Sequence, residues 1–366
     1  MSVQSEIDRI AGAKSDISTA ITNKGVTVPS GTKLDGMAAL IGSIENSGSN
    51  LQTKSVTYTA NGTNTITPDD GYDGLSSVDV TVDVSGGGGG AKEPYIEETY
   101  DANGNLIDAN LVGYTTIRPY SFYNCSKLAL TSLPSGLTSI KNSAFFGCTY
   151  LALTSLPSGL TSIGMHVFRN CKNLALTILP SGITSIENSA FSGCSNLALT
   201  SLPSGLTSIE NNVFQNCKNL ALTSLPSGIT SIGQYAFSGC TNHLALTSLP
   251  SGLTKIGTYA FSGCSNLALT SLPSGLTSIE NYVFQNCKNL ALTSLPSGIT
   301  KIGNNAFFSC KGLTSITFQG KPTVISSSAF NGCTNLKTIN VPWASGALSG
   351  APWGAKNAKI NYNYTG

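Results

Sequence analysis

The sequence predicts a mainly-β protein: a solenoid of about ten 23-residue units with short parallel strands, preceded by a short helix and a small β module. Leucine, proline and phenylalanine keep fixed distances from a cysteine that recurs along most of the chain. A fixed period in this range is typical of solenoids, in which each unit buries its apolar face against its neighbours. The ten cysteines recur every 23 residues, with one interval of 24, at Cys125, Cys148, Cys171, Cys194, Cys217, Cys240, Cys264, Cys287, Cys310 and Cys333.

The repeated unit is well represented by CSNLALTSLPSGLTSIENNVF, which begins at Cys194. Its predicted interior residues are the cysteine and the apolar residues or prolines 3, 8, 9, 12, 15 and 20 positions later. Proline cannot donate to a strand ladder, so it ends a first strand, the first extended segment of the unit, and begins a Ser-Gly turn. Leu-Thr-Ser-Ile then forms a second extended segment. Because every unit runs in the same direction, the predicted sheets are parallel.

The segments outside the array predict a modular chain. Spacings of four and three alternate along a stripe of apolar residues with one lysine, which favours a helix: Val3, Ile7, Ile10, Lys14, Ile17 and Ile21. That helix either joins a coiled-coil oligomer or packs on its own domain.

Asn61-Gly62 indicates a hairpin turn, and the alternating residues from Val78 to Val84 indicate a strand. The predicted divisions are a helical attachment or oligomerisation segment (1–50), a small β module (51–85), a glycine-rich linker (86–94), an N-terminal cap with an Asn103-Gly104 hairpin (95–116), the solenoid (117–341) and a C-terminal cap with two Pro-Trp pairs (342–366).

Charge is sparse and unevenly distributed. Only 10% of residues are charged and the net charge is +2, yet residues 1–124 carry 7 basic and 15 acidic residues. From Cys125 onward there are 13 basic residues and 3 acidic ones. The basic part is too dilute to predict a nucleic-acid partner, and no stretch approaches the ~18 apolar residues that a membrane helix needs. The N-terminus has no apolar run of signal-peptide length, so we expect synthesis and folding in a cytosol.

The compartment and the repeat position together predict the state of the cysteines. Equivalent side chains in a stack point in parallel, and each thiol would have two identical neighbours. We therefore expect a ladder of buried thiols that act as small apolar groups, without disulfides. Neither a metal site nor a cofactor is predicted, because no paired-cysteine motif is present and His166 and His243 are not aligned in the repeat.

The pattern Cys-x-x-Leu…Leu-Pro-x-x-Leu-x-x-Ile-x-x-x-Ala-Phe-x-x-Cys resembles the BspA-like leucine-rich repeats over residues 117–341. The resemblance implies a right-handed leucine-rich-repeat solenoid. Most units depart from that family, since they place apolar residues 3, 5 and 8 positions after the cysteine, where the family more often uses 3, 6 and 8. The last two units keep the family's spacing, at Leu313, Ile316 and Phe318 and again at Leu336, Ile339 and Val341.

The regions around the array bear a second resemblance. Residues 5–44 and 55–84 are similar to N-terminal modules of tail-associated proteins from phages of Gram-positive gut bacteria. The final residues, VPWASGALSGAPWGAKNAKINYNYTG, resemble the C-terminus of leucine-rich proteins in the same setting. This resemblance implies a virion protein that attaches to other tail proteins through its N-terminal segment.

The candidate site is a binding surface, because no pairing of His, Cys, Ser or carboxylate residues at a catalytic spacing occurs in the array. The position five residues before each cysteine varies, and it holds tyrosine in three consecutive units. We expect Tyr235, Tyr259 and Tyr282 to form an exposed column at strand spacing, ~4.8 Å. Lys255 and Lys301 occupy a second variable position nearby, and His166 shares the position of the tyrosines. Tyrosines flanked by lysines favour a glycan or an anionic wall polymer.

The predicted function is that of a non-enzymatic phage tail or fibre-associated protein whose solenoid contacts a bacterial surface ligand. It would be a homo-oligomer, with a trimer among the options, made in the host cytoplasm and carried in the virion. The alternative is a bacterial BspA-like surface adhesin or a protein–protein interaction module at the cell surface.

Overall fold

The computed structural model describes the backbone of residues 51–59, 74–83 and 95–365 and the side chains of residues 96–365. The predicted N-terminal helix, the Asn61-Gly62 hairpin and the glycine-rich linker lie outside the described residues. The chain divides into two compact units, Met1–Gly113 and Tyr114–Gly366. No described segment forms a helix with the length and apolarity needed to cross a bilayer.

The described residues of the first unit form two strand pairs. Strand β1 (Leu51–Thr59) pairs in parallel with β2 (Gly74–Asp83), which confirms the predicted strand near Val78. Strand β3 (Tyr95–Tyr100) pairs antiparallel with β4 (Leu106–Val112). The turn between them confirms the predicted hairpin. An Asp101 carboxylate oxygen accepts the backbone N–H groups of Asn103 and Asn105 at 2.9 and 2.8 Å, and Gly104 takes a positive φ of 74°. That this hairpin caps the solenoid stays a prediction.

The second unit is a parallel-strand solenoid. Its second extended segment forms a two-residue strand in each turn, and the isoleucine of each strand points into the core. Ile232, for example, pairs with Ile209 on one side and Ile256 on the other. These strands are β5 (Thr116–Ile117), β6 (Ser139–Ile140), β7 (Ser162–Ile163), β8 (Ser185–Ile186), β9 (Ser208–Ile209), β10 (Ser231–Ile232), β11 (Lys255–Ile256), β12 (Ser278–Ile279), β14 (Lys301–Ile302) and β16 (Val324–Ile325).

The first extended segment forms strands only at the C-terminal end, so the prediction of a strand there in every unit is wrong. In turns such as that of Leu197 and Leu199, the next two residues, Thr200 and Ser201, are both exposed and the chain bends. Two successive outward side chains break the alternation that a strand requires. The last two units, which have the family's usual spacing, keep the alternation and form β15 (Ser315–Phe318) and β17 (Thr338–Asn340). The four-stranded sheet also contains β13 (Ser294–Leu295), from a unit with the 3, 5 and 8 spacing, and β18 (Lys359–Asn361), from the C-terminal segment.

Two ladders fill the core beside the isoleucines and leucines. Ten phenylalanines stack along the solenoid with neighbouring ring centroids 5.0 to 5.8 Å apart. The cysteines form the second ladder: nine are buried, Cys125 is half-buried, and none of the ten forms a disulfide. The predicted ladder of buried thiols is therefore confirmed for nine positions. Each buried thiol also donates to the carbonyl of a phenylalanine in the preceding turn, as Cys217 does to Phe191 at 3.1 Å.

The C-terminal segment continues the array. Strand β18 extends the sheet, and the Phe330 N–H donates to the Trp353 carbonyl at 2.9 Å, as phenylalanines in earlier turns donate to the turn that follows them. Trp343 and Trp353 are both buried, with ring centroids 5.3 and 6.0 Å from that of Phe318. Because the two indoles are buried, they fit a capping role better than an exposed binding face.

Candidate binding ridge on the solenoid

One edge of each turn is a compact ridge tied to its neighbours through the backbone. Alternate N–H groups point to the next turn: Ser143 donates to the carbonyl of Met165 at 2.9 Å, and Phe145 donates to Val167 at 3.0 Å. The residue between them, Ala144, donates within its own turn, to the Lys141 carbonyl, at 3.2 Å. This pattern recurs along the array, so side chains at equivalent ridge positions stand above one another. Turns are numbered from 1 (Cys125) to 10 (Cys333), and ridge positions are counted back from the cysteine.

Position −5 of the ridge has a left-handed backbone. Its residue takes a positive φ in turns 1 to 9, between 51° for Asn305 and 60° for Tyr120. Only glycine, and to a lesser extent asparagine or aspartate, adopts this conformation without a cost of about 1–2 kcal/mol. The predicted site residues His166, Tyr235, Tyr259 and Tyr282 all occupy it.

Position −1 is also left-handed, and here asparagine and glycine alternate over turns 1 to 6. Each asparagine side chain occupies the space in which a Cβ of the next turn would lie, so the next turn has glycine. The pairs are Asn124 with Gly147, Asn170 with Gly193 and Asn216 with Gly239. The alternation does not extend to turns 8 and 9, where Asn286 is followed by Ser309 instead of glycine.

Replacing Gly193 with alanine should therefore destabilise the solenoid by about 2 kcal/mol or more, because a Cβ both overlaps the Asn170 carboxamide and occupies a positive φ. Urea unfolding measures this loss. Adding Asn170→Gly should restore part of it by removing the overlap. Gly182→Ala is the matched control, since a Cβ there meets its nearest atom at 3.6 Å and φ is not positive. Equal losses at the two glycines would contradict this account.

The structure brings the three predicted tyrosines into one stack, here called the tyrosine column. Ring centroids of Tyr235 and Tyr259 lie 4.7 Å apart at 8°, and those of Tyr259 and Tyr282 lie 4.5 Å apart at 5°. Each ring is half-buried rather than fully exposed, because its neighbours cover its faces. The column consequently presents ring edges and phenol hydroxyls. The pKa of Tyr259 is raised, first by loss of water around its hydroxyl and then by repulsion from charge on Tyr282 and Tyr235.

The two predicted lysines lie on the strand side of the ridge and approach one acidic residue. Lys301 Nζ lies 2.9 Å from a carboxylate oxygen of Glu280, at position −7 of turn 8. Partial burial works to raise the pKa of Glu280, but hydrogen bonds from Lys301 and Ser278 and the charges of Lys301 and Lys255 lower it overall. Lys301 is thus partly neutralised, while Lys255 has its side chain exposed and forms no ion pair among the described residues.

The structure does not place His166 with the tyrosine column. It lies three turns away, where its ring meets that of Phe146 edge-on at 6.4 Å. Phe146 also stacks on Tyr123 at 4.8 Å and lies under the Arg169 guanidinium at 5.7 Å, while Tyr120 contacts Tyr123 edge-on at 5.7 Å. These five residues are here called the N-terminal aromatic cluster. Burial first and the charge of Arg169 second lower the pKa of His166.

Position −2 is the part of the ridge that sequence reasoning missed. It holds Tyr123, Phe146 and Arg169 in turns 1 to 3, and then mostly serine and glutamine. The residues at position −2 of successive turns, compared in the sequence, would have indicated this cluster. Among the residues that the structure describes, no group of three His, Cys, Asp or Glu side chains could hold a metal ion.

The short parallel strands, the phenylalanine ladder and the cysteine ladder define a leucine-rich-repeat solenoid with an exposed, variable ridge. The sequence profile described as BspA type Leucine rich repeat region (6 copies) matches residues 115–245 and 242–346, more than half of the chain. The chain belongs to this family.

Several solved structures are similar to the chain. A leucine rich cell surface protein from Faecalibacterium prausnitzii is 23% identical, with 76% of this chain and 97% of that one covered and a TM-score of 0.44. A leucine-rich repeat protein from Bacteroides ovatus is 19% identical, with coverages of 73% and 98% and a TM-score of 0.36. The T. pallidum Leucine Rich Repeat protein is 24% identical, with coverages of 66% and 87% and a TM-score of 0.32. No curated protein matches the sequence.

Proposed function

We propose that the chain is a non-enzymatic binding protein of the bacterial cell surface, an adhesin or interaction module whose ridge contacts a glycan, a wall polymer or a protein. The tyrosine column is the observation that carries this proposal. Family membership supports it, and the description of the F. prausnitzii protein as a cell surface protein agrees with it.

The backbone of the ridge makes tyrosine a costly residue at position −5. Asparagine adopts a positive φ more readily, and turns 5 and 9 have it there, as Asn212 and Asn305. Three consecutive turns nevertheless have tyrosine. Residues held in an unfavourable backbone conformation are concentrated at functional sites. We infer that the side chains are retained for what they contact.

The stacked geometry favours a ligand rich in hydrogen-bonding groups. Because the faces of the middle ring are covered, Tyr259 offers an edge and a hydroxyl, and the column forms a row of phenols at about the turn spacing. A phenol both donates and accepts hydrogen bonds. The solenoid is also basic, with 13 Lys and Arg against 3 acidic residues from Cys125 onward. A polymer with hydroxyl and anionic groups suits both properties.

Changing Tyr235, Tyr259 and Tyr282 together to serine should reduce binding of the full chain to intact Gram-positive bacteria and their isolated walls by at least about tenfold. A loss of three hydrogen bonds at ~0.5–1.5 kcal/mol each accounts for this. Serine is compatible with the backbone, since Ser143 and Ser189 occupy the same position with positive φ. Saturation binding with labelled protein measures the change.

Tyr150→Ser is the matched control, because Tyr150 is 50% exposed and lies outside the column. Unchanged binding by the triple variant would remove the column as the site. Absence of binding to any cell or wall fraction would overturn the proposed function. Protease treatment of the cells separates a protein ligand from a glycan or wall polymer.

A second candidate function is that of a phage tail or fibre-associated protein, and the resemblance of residues 5–44 and 55–84 to tail-associated modules favours it. Attachment to other tail proteins through the N-terminal segment and assembly as a homo-oligomer, such as a trimer, belong to this candidate. Mass spectrometry of purified virions and of washed cell surfaces from the producing strain distinguishes the two locations. Light scattering of the purified full chain gives the oligomeric state.

A further inference from the structure

The first three turns of the ridge have a surface unlike that of the tyrosine column. Tyr120 is 62% exposed and Tyr123 44% exposed, so aromatic surface is open to solvent. Tyr120 meets Tyr123 at 61° in an edge-to-face arrangement, so its ring is not part of the parallel stack that begins at Tyr123. Turns 4 and 5 then have Ser189, Ser192, Asn212 and Gln215 at the same positions. The N-terminal aromatic cluster is therefore a separate patch.

A single unpaired cation lies at the far end of this patch. The Arg169 guanidinium lies 5.7 Å from the centroid of the Phe146 ring, and no carboxylate pairs with it among the described residues. Glu187, the acidic residue of the next turn, accepts the Met165 backbone N–H at 3.0 Å. An aromatic plane orients the guanidinium, whose fork of N–H donors matches a carboxylate.

The spacing of these groups is set by the solenoid. Tyr120 is at position −5 of turn 1 and Arg169 at position −2 of turn 3, so along the solenoid they are two turns apart, ~10 Å at strand spacing. That is about the span of two linked sugar rings. An exposed aromatic ring, a guanidinium without a carboxylate partner among the described residues and a separation of two turns together fit a saccharide chain with a carboxylate on one ring.

We propose that the N-terminal aromatic cluster is a second binding site, which takes a carboxylate-bearing saccharide. One sugar ring packs on Tyr120, and the carboxylate of a neighbouring ring pairs with Arg169. This inference extends the proposed function of the ridge, but it places the ligand on residues that the tyrosine column does not include.

The test uses polygalacturonate as the probe and the full chain with its tyrosine column intact. Affinity electrophoresis should show retardation by polygalacturonate and none by its methyl ester or by dextran. Arg169→Gln and Tyr120→Ser should each weaken binding by ~10-fold or more, as expected for a charge-assisted pair and a stacked ring. Both substitutions copy residues found at the same ridge positions, Gln215 and Ser143.

Lys172→Ser is the charge-matched control, because it removes one exposed cation from the same turn. Equal weakening by Lys172→Ser and Arg169→Gln would show diffuse charge attraction and overturn the proposal. Absence of retardation of the unmodified chain would also overturn it, even if cell binding through the tyrosine column persisted. Conversely, retardation that survives in the Tyr235, Tyr259 and Tyr282 triple variant would support this site whatever the outcome of the cell-binding experiment.

Discussion

Raising the pH from 8 to about 10 should unfold the solenoid. Burial, the main cause, raises the pKa of the nine buried thiols, to about 12 for Cys333 and further for the others. In the unfolded chain the same thiols titrate near their ordinary value, 9.0. Above that pH the unfolded state binds fewer protons than the folded state, so stability falls as pH rises. Above the unfolded pKa, each buried thiol lowers the free energy of unfolding by ~1.4 kcal/mol per pH unit. Nine thiols together lower it by roughly 12 kcal/mol over one pH unit, and the total free energy of unfolding of a typical protein is about 5–15 kcal/mol.

The measurement is urea unfolding at a series of pH values in the presence of a reducing agent. Lysine and tyrosine also titrate near pH 10, so the contribution of the thiols is obtained from variants. Cys217→Ser keeps a donor for the Phe191 carbonyl and does not ionise, and it should reduce the alkaline slope by ~1.4 kcal/mol per pH unit. A slope that is the same in the parent and in Cys217→Ser would contradict the assignment to the thiols.

Replacing Phe237 with alanine should cost about 3–5 kcal/mol, the usual loss for a buried aromatic ring. Its ring is fully buried between those of Phe214 and Phe261, at 5.5 and 5.3 Å. In a solenoid each turn is stabilised mainly by its two neighbours. The cavity therefore weakens two interfaces at once, in the middle of the array. Urea unfolding should show an earlier transition and, because coupling across turn 6 is reduced, a broader one.

Phe122→Ala provides the comparison for this prediction. Phe122 is also buried, but its ring stacks on only one other phenylalanine, Phe145, at 5.1 Å. We expect a smaller loss and no broadening there, because one end turn can unfold without dividing the array. Equal effects at the two positions would argue that the turns do not act as nearest-neighbour units.

The solenoid could be predicted largely from the spacing of cysteine, leucine and phenylalanine, since units with a fixed period bury their apolar faces by stacking on one another. The same reasoning predicted the unbridged thiols and the Asn103-Gly104 hairpin. It was wrong about the first extended segment in most turns. The pattern of Leu197, Leu199 and Leu202 satisfies burial but places two exposed residues in succession, and periodicity of buried positions does not reveal that break.

The candidate site was predicted in part. Equivalence of repeat positions was enough to place Tyr235, Tyr259 and Tyr282 in one stack. It was not enough to show that their faces are covered, that Glu280 pairs with Lys301, or that His166 lies in a different cluster. Those contacts depend on side-chain directions and on the left-handed backbone at position −5. Tyrosine and histidine do not indicate such a backbone, because only glycine, asparagine and aspartate adopt it readily. At position −1, by contrast, the alternating asparagine and glycine residues do indicate a left-handed backbone, and it could have been predicted from the sequence.

The alternation at position −1 limits how the gene can change length. Losing one turn that contains Gly193 would bring Asn216 directly after Asn170, whose carboxamide occupies the space needed by the new Cβ. Losing an asparagine turn would instead bring two glycines together, as Gly239 and Gly263 already are. In turns 8 and 9 a side chain does follow an asparagine, since Ser309 comes after Asn286, so the restriction applies to the alternating turns 1 to 6. In this half of the array, removal of an Asn–Gly pair preserves the pattern and removal of a glycine turn alone does not. Homologues with shorter or longer arrays should show that bias in their repeat order.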